Sequence, residues 1–297
     1  MNIELTDQVD CLCDFTFDFY WQHKGSRLSP DAVIPHQKDT SHTYSDLVDC
    51  LKRGEDVHIK GDAGKRLGSS LGVDLMFFGG SGGSLKVGSI MVDGNVDTRM
   101  GISTVSGSFY VGGNARQPLG NVIEVESDRA GYHKFVSITG LLEKDMKENI
   151  LSPNALEGDT LFIRDGVIRD TIAARLDADK KVVVDGNAGM STGILMNLGS
   201  VHVDGDAGMN TGVLMRGGIV LVNNSGEFAG SYMKGGILII RGKSKGYVGA
   251  NMKGGTIFYK GDAMQRSVPL EGSDIRMLIR FLGTGQIEAM MFRKYSR

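Results

Sequence analysis

The sequence predicts an all-β fold: a right-handed parallel β-helix of coils about 19 residues long, with short capping helices at its ends. Three observations predict it. A block recurs almost letter for letter, Val182–Gly199 reading VVVDGNAGMSTGILMNLG and Val201–Gly218 reading VHVDGDAGMNTGVLMRGG. Its skeleton continues through Val220–Gly236 and Leu238–Gly255 and fades at Ile257–Ala263. Second, glycine recurs at one phase. Strand-ending pairs at Asp185-Gly186, Asp204-Gly205, Asn223-Asn224, Arg241-Gly242 and Lys260-Gly261 are separated by 19, 19, 18 and 19 residues. A further glycine follows such pairs at Gly68, Gly101, Gly120, Gly193, Gly212, Gly230 and Gly249. These are read as structural corners where the backbone needs φ > 0. Third, the apolar runs between glycines are short, β-branched and alternate with a period of two, as strands do. A helical repeat would lose about 1 kcal/mol at each such glycine. A repeat this short cannot bury its own apolar face, so it stacks on its copies, rising about 4.8 Å per coil.

Taken in order, residues 1–54 form an N-terminal segment and cap. Residues 1–42 carry no repeat pattern and are expected on the flank, while Thr43–Lys52 reads as an amphipathic helix closed by Gly54. The β-helix spans 55–263, with Lys60-Gly61, Asp93-Gly94 and Gly112-Gly113 continuing the punctuation upstream. Irregular spacing from Leu71 to Gly88 predicts one short or distorted coil. An insertion at about 122–157 interrupts the repeat and is a candidate docking element. Residues 264–297 form a C-terminal cap, in which Ser273 or Asp274 starts the helix IRMLIRFL that stops before Gly283.

Alternation divides the strand residues between inside and outside. Val182, Val201, Val220, Leu238 and Ile257 form one interior column, Val184, Val203, Val222, Ile240 and Tyr259 a second, and Met196, Met215, Met233 and Met252 a third. The column between the first two faces outward, yet it stays apolar. It includes Tyr110, Phe162, Val183, His202, Leu221, Ile239 and Phe258, the candidate partner interface, since a contiguous exterior apolar patch marks contact with another chain. The alternatives are that the chain's own termini cover it, or that inside and outside are exchanged.

Composition narrows the function. Glycine accounts for 43 of 297 residues and proline for 5, which excludes a collagen-like or disordered tract. A formal charge of −2 argues against nucleic-acid binding, and no apolar run reaches the roughly 20 residues that span a bilayer. Three cysteines and an N-terminus without a basic-then-apolar order place the chain in the cytoplasm, with no membrane insertion. Cys11-x-Cys13 with Cys50, His23, His36 and His42 shows no recognised metal spacing. The Asp-Gly steps lack an acid in every turn, as a calcium roll requires. Gly-x-x-Gly segments lack the following helix of a phosphate loop. Acids placed for glycoside cleavage would need a cleft, whereas Asp185 and Asp204 sit at a glycine corner. The reading assigns this chain no catalytic, cofactor-binding or metal residue.

With those residues in view, the chain resembles the β-helix subunit of formylmethanofuran dehydrogenase. The resemblance rests on the repeat block, on GVIRDTIAARL (Gly166–Leu176) and on NVIEVESDRAGYHKFVSITGLL (Asn121–Leu142), and covers roughly Val57 to Ala263. A similar β-helix forms the C-terminal domain of glutamate synthase and the corresponding subunit of the formyltransferase/hydrolase complex. The resemblance implies a scaffold subunit of a multi-subunit oxidoreductase complex that reduces CO2 onto methanofuran. It also implies that the tungsten- or molybdenum-pterin, the iron–sulfur clusters and the amidohydrolase-type metals sit in partner subunits, with no cofactor in this chain.

Overall fold

The computed structural model describes residues 1–17, 29–143, 148–260 and 267–297. His23, Gly261 and the predicted repeat boundary at Ala263 lie outside the described residues. The chain is all-β, a right-handed β-helix with small helices, divided into two compact units. One comprises Met1–Leu156 with Val167–Ala174, the other Glu157–Gly166 with Arg175–Arg297.

In the first unit the elements are β1 (Asn2–Glu4), α1 (Tyr44–Lys52), β2 (Val57–Lys60), β3 (Ile90–Val92), β4 (Ser108–Val111), β5 (Val122–Val125), β6 (His133–Ser137) and α2 (Ile138–Glu143). The strand order is β1-β2-β3-β4-β6-β5, parallel except that β6 runs antiparallel to both neighbours. Two expectations are corrected here. Residues 2–15 are not a flanking segment but the first coil, with Ile3 level with Ile59 and the Phe15 amide bonded to the Ser69 carbonyl. The irregular stretch from Leu71 to Gly88 is not a short coil between β2 and β3, because β2 pairs directly with β3 and the extra residues leave the stack as an excursion. The insertion adds β5 and β6 to this sheet. Helix α1 follows its sequence signals, with a Thr43/Asp46 capping box and Gly54 at φ +81°.

After β7 (Ala155–Glu157), the second unit contains β8 (Thr160–Ile163), β9 (Lys181–Val184), β10 (Ser200–Val203), β11 (Arg216–Val222), β12 (Lys234–Ile240), β13 (Gly254–Tyr259), α3 (Gly272–Leu282), α4 (Gln286–Met290) and β14 (Arg293–Ser296). Strands β8 to β13 pair in parallel, and β14 closes the edge antiparallel to β13. Val201 stands level with Val182 and Val220, so the columns are in register. The three interior columns are buried from Val182 to Tyr259 and from Met196 to Met252. Each such Val, Leu or Met contributes about 1.5–3 kcal/mol. Helix α3 is capped two or three residues earlier than expected. Its N-cap is Glu271, and Asp274 closes a capping box onto the Glu271 amide.

The corners explain the glycines, and not only through φ. In the second unit every second corner residue is left-handed: Ser191, Gly193 and Leu195, then Asn210, Gly212 and Leu214, then Phe228, Gly230 and Tyr232, then Tyr247, Gly249 and Asn251. A non-glycine residue there costs roughly 1–2 kcal/mol. The cost is offset because alternate amides bond alternate neighbours: Ser191 and Leu195 donate forward to Met209 and Val213, and Gly212 donates back to Thr192. What singles out the glycine slot is its inward aim. A Cβ on Gly193 would lie 2.5 Å from Val220 Cγ2, and one on Gly230 would lie 2.5 Å from Ile257 Cδ1. In the first unit Gly68 and Gly101 take this slot at φ +66° and +71°, and Cys13 and Ala173 take it at φ +57° without being glycine. Gly120 is the exception. It lacks the positive φ because the chain leaves the coil there for β5, and it is glycine because a Cβ would strike the backbone of Gly101 and Ile102.

Gly193→Ala is expected to destabilise the isolated chain by about 1–3 kcal/mol, with Val220→Ala in the same chain recovering part of the loss. Asn210→Gly, at nearly the same φ, leaves the thermal midpoint unchanged or raised. A large loss from Asn210→Gly would contradict the steric account.

Candidate functional site

The outward faces of the two sheets contain all seven candidate interface residues, and they differ in what covers them. In the first unit His58, Met91 and Tyr110 are level across β2, β3 and β4. The β5–β6 hairpin folds over them. Arg129 stands 4.5 Å from the Tyr110 ring centroid, and the Tyr110 hydroxyl donates to Asp128 at 2.8 Å. Arg129 also pairs with Asp56 at 3.0 Å. Tyr132 donates to Asp93 Oδ1 at 2.6 Å, and His58 Nε2 meets the same oxygen at 2.6 Å. Burial opposes ionisation of Asp93, but the bonds from His58 and Tyr132 outweigh it and hold the carboxyl below its ordinary range. Tyr110 is therefore 4% exposed and already satisfied within its own unit.

In the second unit Phe162, Val183, His202, Leu221, Ile239 and Phe258 stand level across six strands. The assignment of Leu221, Ile239 and Phe258 to a partner interface is corrected. They are 3%, 0% and 1% exposed, packed against Leu278, Ala289 and Phe292 of the C-terminal segment. The cause lies in α3, whose apolar residues Ile275, Leu278, Ile279 and Leu282 need a surface to bury against and find the sheet face instead of the coil end. Lys260 locks the arrangement, pairing with Glu288 at 2.6 Å and lying 4.9 Å from the Phe292 ring centroid. The other half of the row stays half-buried and open. Arg164 covers the Phe162 ring at 4.3 Å. His202 Nε2 lies 3.0 Å from an Arg241 nitrogen and 3.2 Å from Asp204. Burial pushes the His202 pKa down, against the opposing pull of Asp204.

The remaining chemical candidates are absorbed by the fold. Cys11 and Cys13 line the first coil and are fully buried, and burial pushes the Cys11 thiol up to about 12 and the Cys13 thiol up as well. Such thiols are poor nucleophiles and ligands. Among the described residues, no group of three or more His, Cys, Asp or Glu is placed to hold a metal ion. The Asn and Asp residues after the Asp-Gly steps form a ladder of their own. Asn187 Oδ1 accepts the Asp206 amide at 2.8 Å, Asp206 Oδ1 accepts Asn224 Nδ2 at 2.8 Å, and Asn224 Oδ1 accepts the Lys243 amide at 2.7 Å.

Sequence reasoning treated Arg169-Asp170-Thr171 as a signature and assigned it no structural task. It anchors a buried polar network in the first unit. Arg169 Nε donates to the Val122 carbonyl at 2.8 Å, Asp170 accepts Arg99 Nε at 3.0 Å, and Thr171 Oγ1 accepts the Ser103 amide at 2.8 Å. Asn121 donates to the Thr104 carbonyl and to Thr139, and accepts the Ala173 amide at 2.9 Å. Its side chain thus carries the ladder where the backbone departs. A buried Asn one residue after a slot glycine is the signal that was available.

Fold and faces together define a glycine-punctuated β-helix whose accessible feature is a sidewall. In keeping with this, residues 153–277 match the GXGXG motif family. The chain is also 51% identical over 201 residues, 68% of its length, to an uncharacterized protein of Methanothermobacter thermautotrophicus, and it spans 64% of that relative's length. Among the described residues no helix is long and apolar enough to cross a membrane.

Two outcomes test the division of the outer row. Ile239→Asp is expected to cost the isolated chain more than about 3 kcal/mol, because it buries an unpaired carboxylate. Val183→Asp, on the open half, is expected to cost less than about 1 kcal/mol in the same urea melts. For His202 the lowered pKa means the unfolded chain binds the proton more readily. The stability it contributes is complete above the unfolded value of about 6.5 and is lost as pH falls through the folded pKa. Its NMR titration midpoint is expected below about 6.5, and His202→Gln should flatten that part of the stability profile. A midpoint above that value would overturn the assignment.

Proposed function

We propose that this chain is a scaffold subunit of a formylmethanofuran dehydrogenase-type complex, with no active site of its own. The observation that carries the reading is the open half-row Phe162, Val183 and His202. It is outward, joins the apolar Phe162 and Val183 to the imidazole of His202, and is level with a row whose other half is already packed under a helix. A surface of that kind is suited to a partner chain. The GXGXG match and the similarity to a protein from a methanogen support the choice of complex.

On this reading the chemistry belongs to the partners. Three buried thiols do not suit an iron–sulfur cluster, which takes four accessible cysteinates. The tungsten- or molybdenum-pterin, the clusters and the amidohydrolase-type metals are assigned to neighbouring subunits of the oxidoreductase. The scaffold's contribution is rigidity. Stacked coils hold docked subunits at fixed separation, so that a reactive one-carbon intermediate passes between sites without loss to solvent.

A second reading, favoured by the same motif, is a glutamate synthase β-helix as a separate chain; the β-helix subunit of a formyltransferase/hydrolase complex is a third. Native purification distinguishes them. Co-elution with molybdenum or tungsten, iron and formylmethanofuran oxidation is expected. Flavin with glutaminase activity supports the second reading, and formyl transfer without molybdenum or tungsten the third. Substrate turnover by the lone chain would overturn all three.

A further inference from the structure

The second unit also carries a pair of arginines that no acid among the described residues neutralises. Arg175 and Arg216 lie on opposite sides of one coil. The Arg175 amide donates to the Ile194 carbonyl, and the Arg216 amide donates to the Met196 carbonyl two residues on. With one coil between them, their backbones are roughly two coil rises apart, about 10 Å, which two arginine side chains can close from either side. Arg175 is half-buried, and its Nε is enclosed without a hydrogen-bond acceptor. Neither arginine enters an ion pair among the described residues, and the charge that acts on Arg175 is that of Arg216, of the same sign. Burial, then that like charge, push the Arg175 pKa down.

A guanidinium taken out of water without an acceptor is costly, and a second cation beside it adds to the cost. An anionic ligand seated between the two would offset both costs. The corner between the two arginines offers Asn197, half-buried, whose side chain makes no hydrogen bond among the described residues. Beyond Arg216 the same position is cationic on the next two coils. Lys234 and Lys253 are exposed and bond the Met215 and Met233 carbonyls as Arg216 bonds Met196. The corner is therefore a cationic stripe of Arg216, Lys234 and Lys253 that gives way to Asn197 and then, one coil further, to the exposed Asp177, with the enclosed Nε of Arg175 two residues before that acid.

We propose that Arg175 and Arg216, with Asn197 between them, bind a phosphate-class oxyanion at this corner of the second unit. Two forked guanidinium groups match the oxygens and the double negative charge of a phosphoryl group, whereas a single carboxylate would neutralise one of them. The site stands independently of the scaffold reading, since it needs no partner chain.

The test is thermal unfolding of the full chain titrated with inorganic phosphate at constant ionic strength, together with NMR of the arginine Nε–H groups. The expected result is a saturable rise in midpoint, a shift of the Arg175 Nε–H resonance, and acetate weaker by at least tenfold. Arg216→Gln, at an exposed position, should fold normally and weaken phosphate by at least tenfold. Arg175→Met should melt higher than the parent chain without phosphate, because the uncompensated charge is gone, and should lose the phosphate response. If Arg175→Met does not fold, the Arg216→Gln titration decides alone. No phosphate response, a response unchanged in Arg216→Gln, or acetate as effective as phosphate would overturn the proposal.

Discussion

The structure depends on one constraint: each coil must hand its backbone hydrogen bonds to the next, through corners as well as strands. In the strands this is ordinary parallel pairing, Val182 to Val201 to Val220. At the corners it requires alternate left-handed residues, whose amides point up and down the stack in turn. Where the left-handed residue faces inward in the repeats of the second unit, little more than a hydrogen fits beside the next coil, and Gly193 and Gly230 follow. Where it faces outward, Leu195 and Tyr232 adopt the same φ. At the Asx corners side chains take over the ladder, and at Asn121 one side chain replaces a departed strand.

A stack so regular has to stop, because an open strand edge pairs with whatever it meets. Each unit stops in its own way with an antiparallel strand. The β5–β6 hairpin ends the sheet of the first unit, and β14 ends that of the second. Both terminating segments also cover outward side chains. Arg129 and Tyr132 lie over the first face, and Leu278 and Phe292 over part of the second. The open row at Phe162, Val183 and His202 is what these segments leave.

The period of the repeat, the parallel strands and all three interior columns were legible in the sequence, because identical coils write the same alternation again and again. The first coil was not, since Cys13 stands where the other coils show glycine and Ile3 has no repeated neighbours in its segment. Ala173 hid another slot in the same manner. The outer row was legible as one level row across the strands, but its fate was not. Whether Leu221 meets a partner or the chain's own tail depends on where α3 lies, and periodicity says nothing about that. The cationic corner was missed because Arg175 and Arg216 are 41 residues apart, in columns that only the coil geometry brings together.

What remains open on the second sheet is the surface on which the functional reading rests, and cysteine labelling reads it directly. The three native cysteines are buried, so background labelling is low. Maleimide reactivity of Val183→Cys and Ile239→Cys would be compared in the isolated chain and in the native assembly. The account predicts that Val183→Cys reacts in isolation and is protected in the assembly, while Ile239→Cys is unreactive in both. Rapid labelling of Ile239→Cys in isolation, or equal labelling of Val183→Cys in both states, would contradict it.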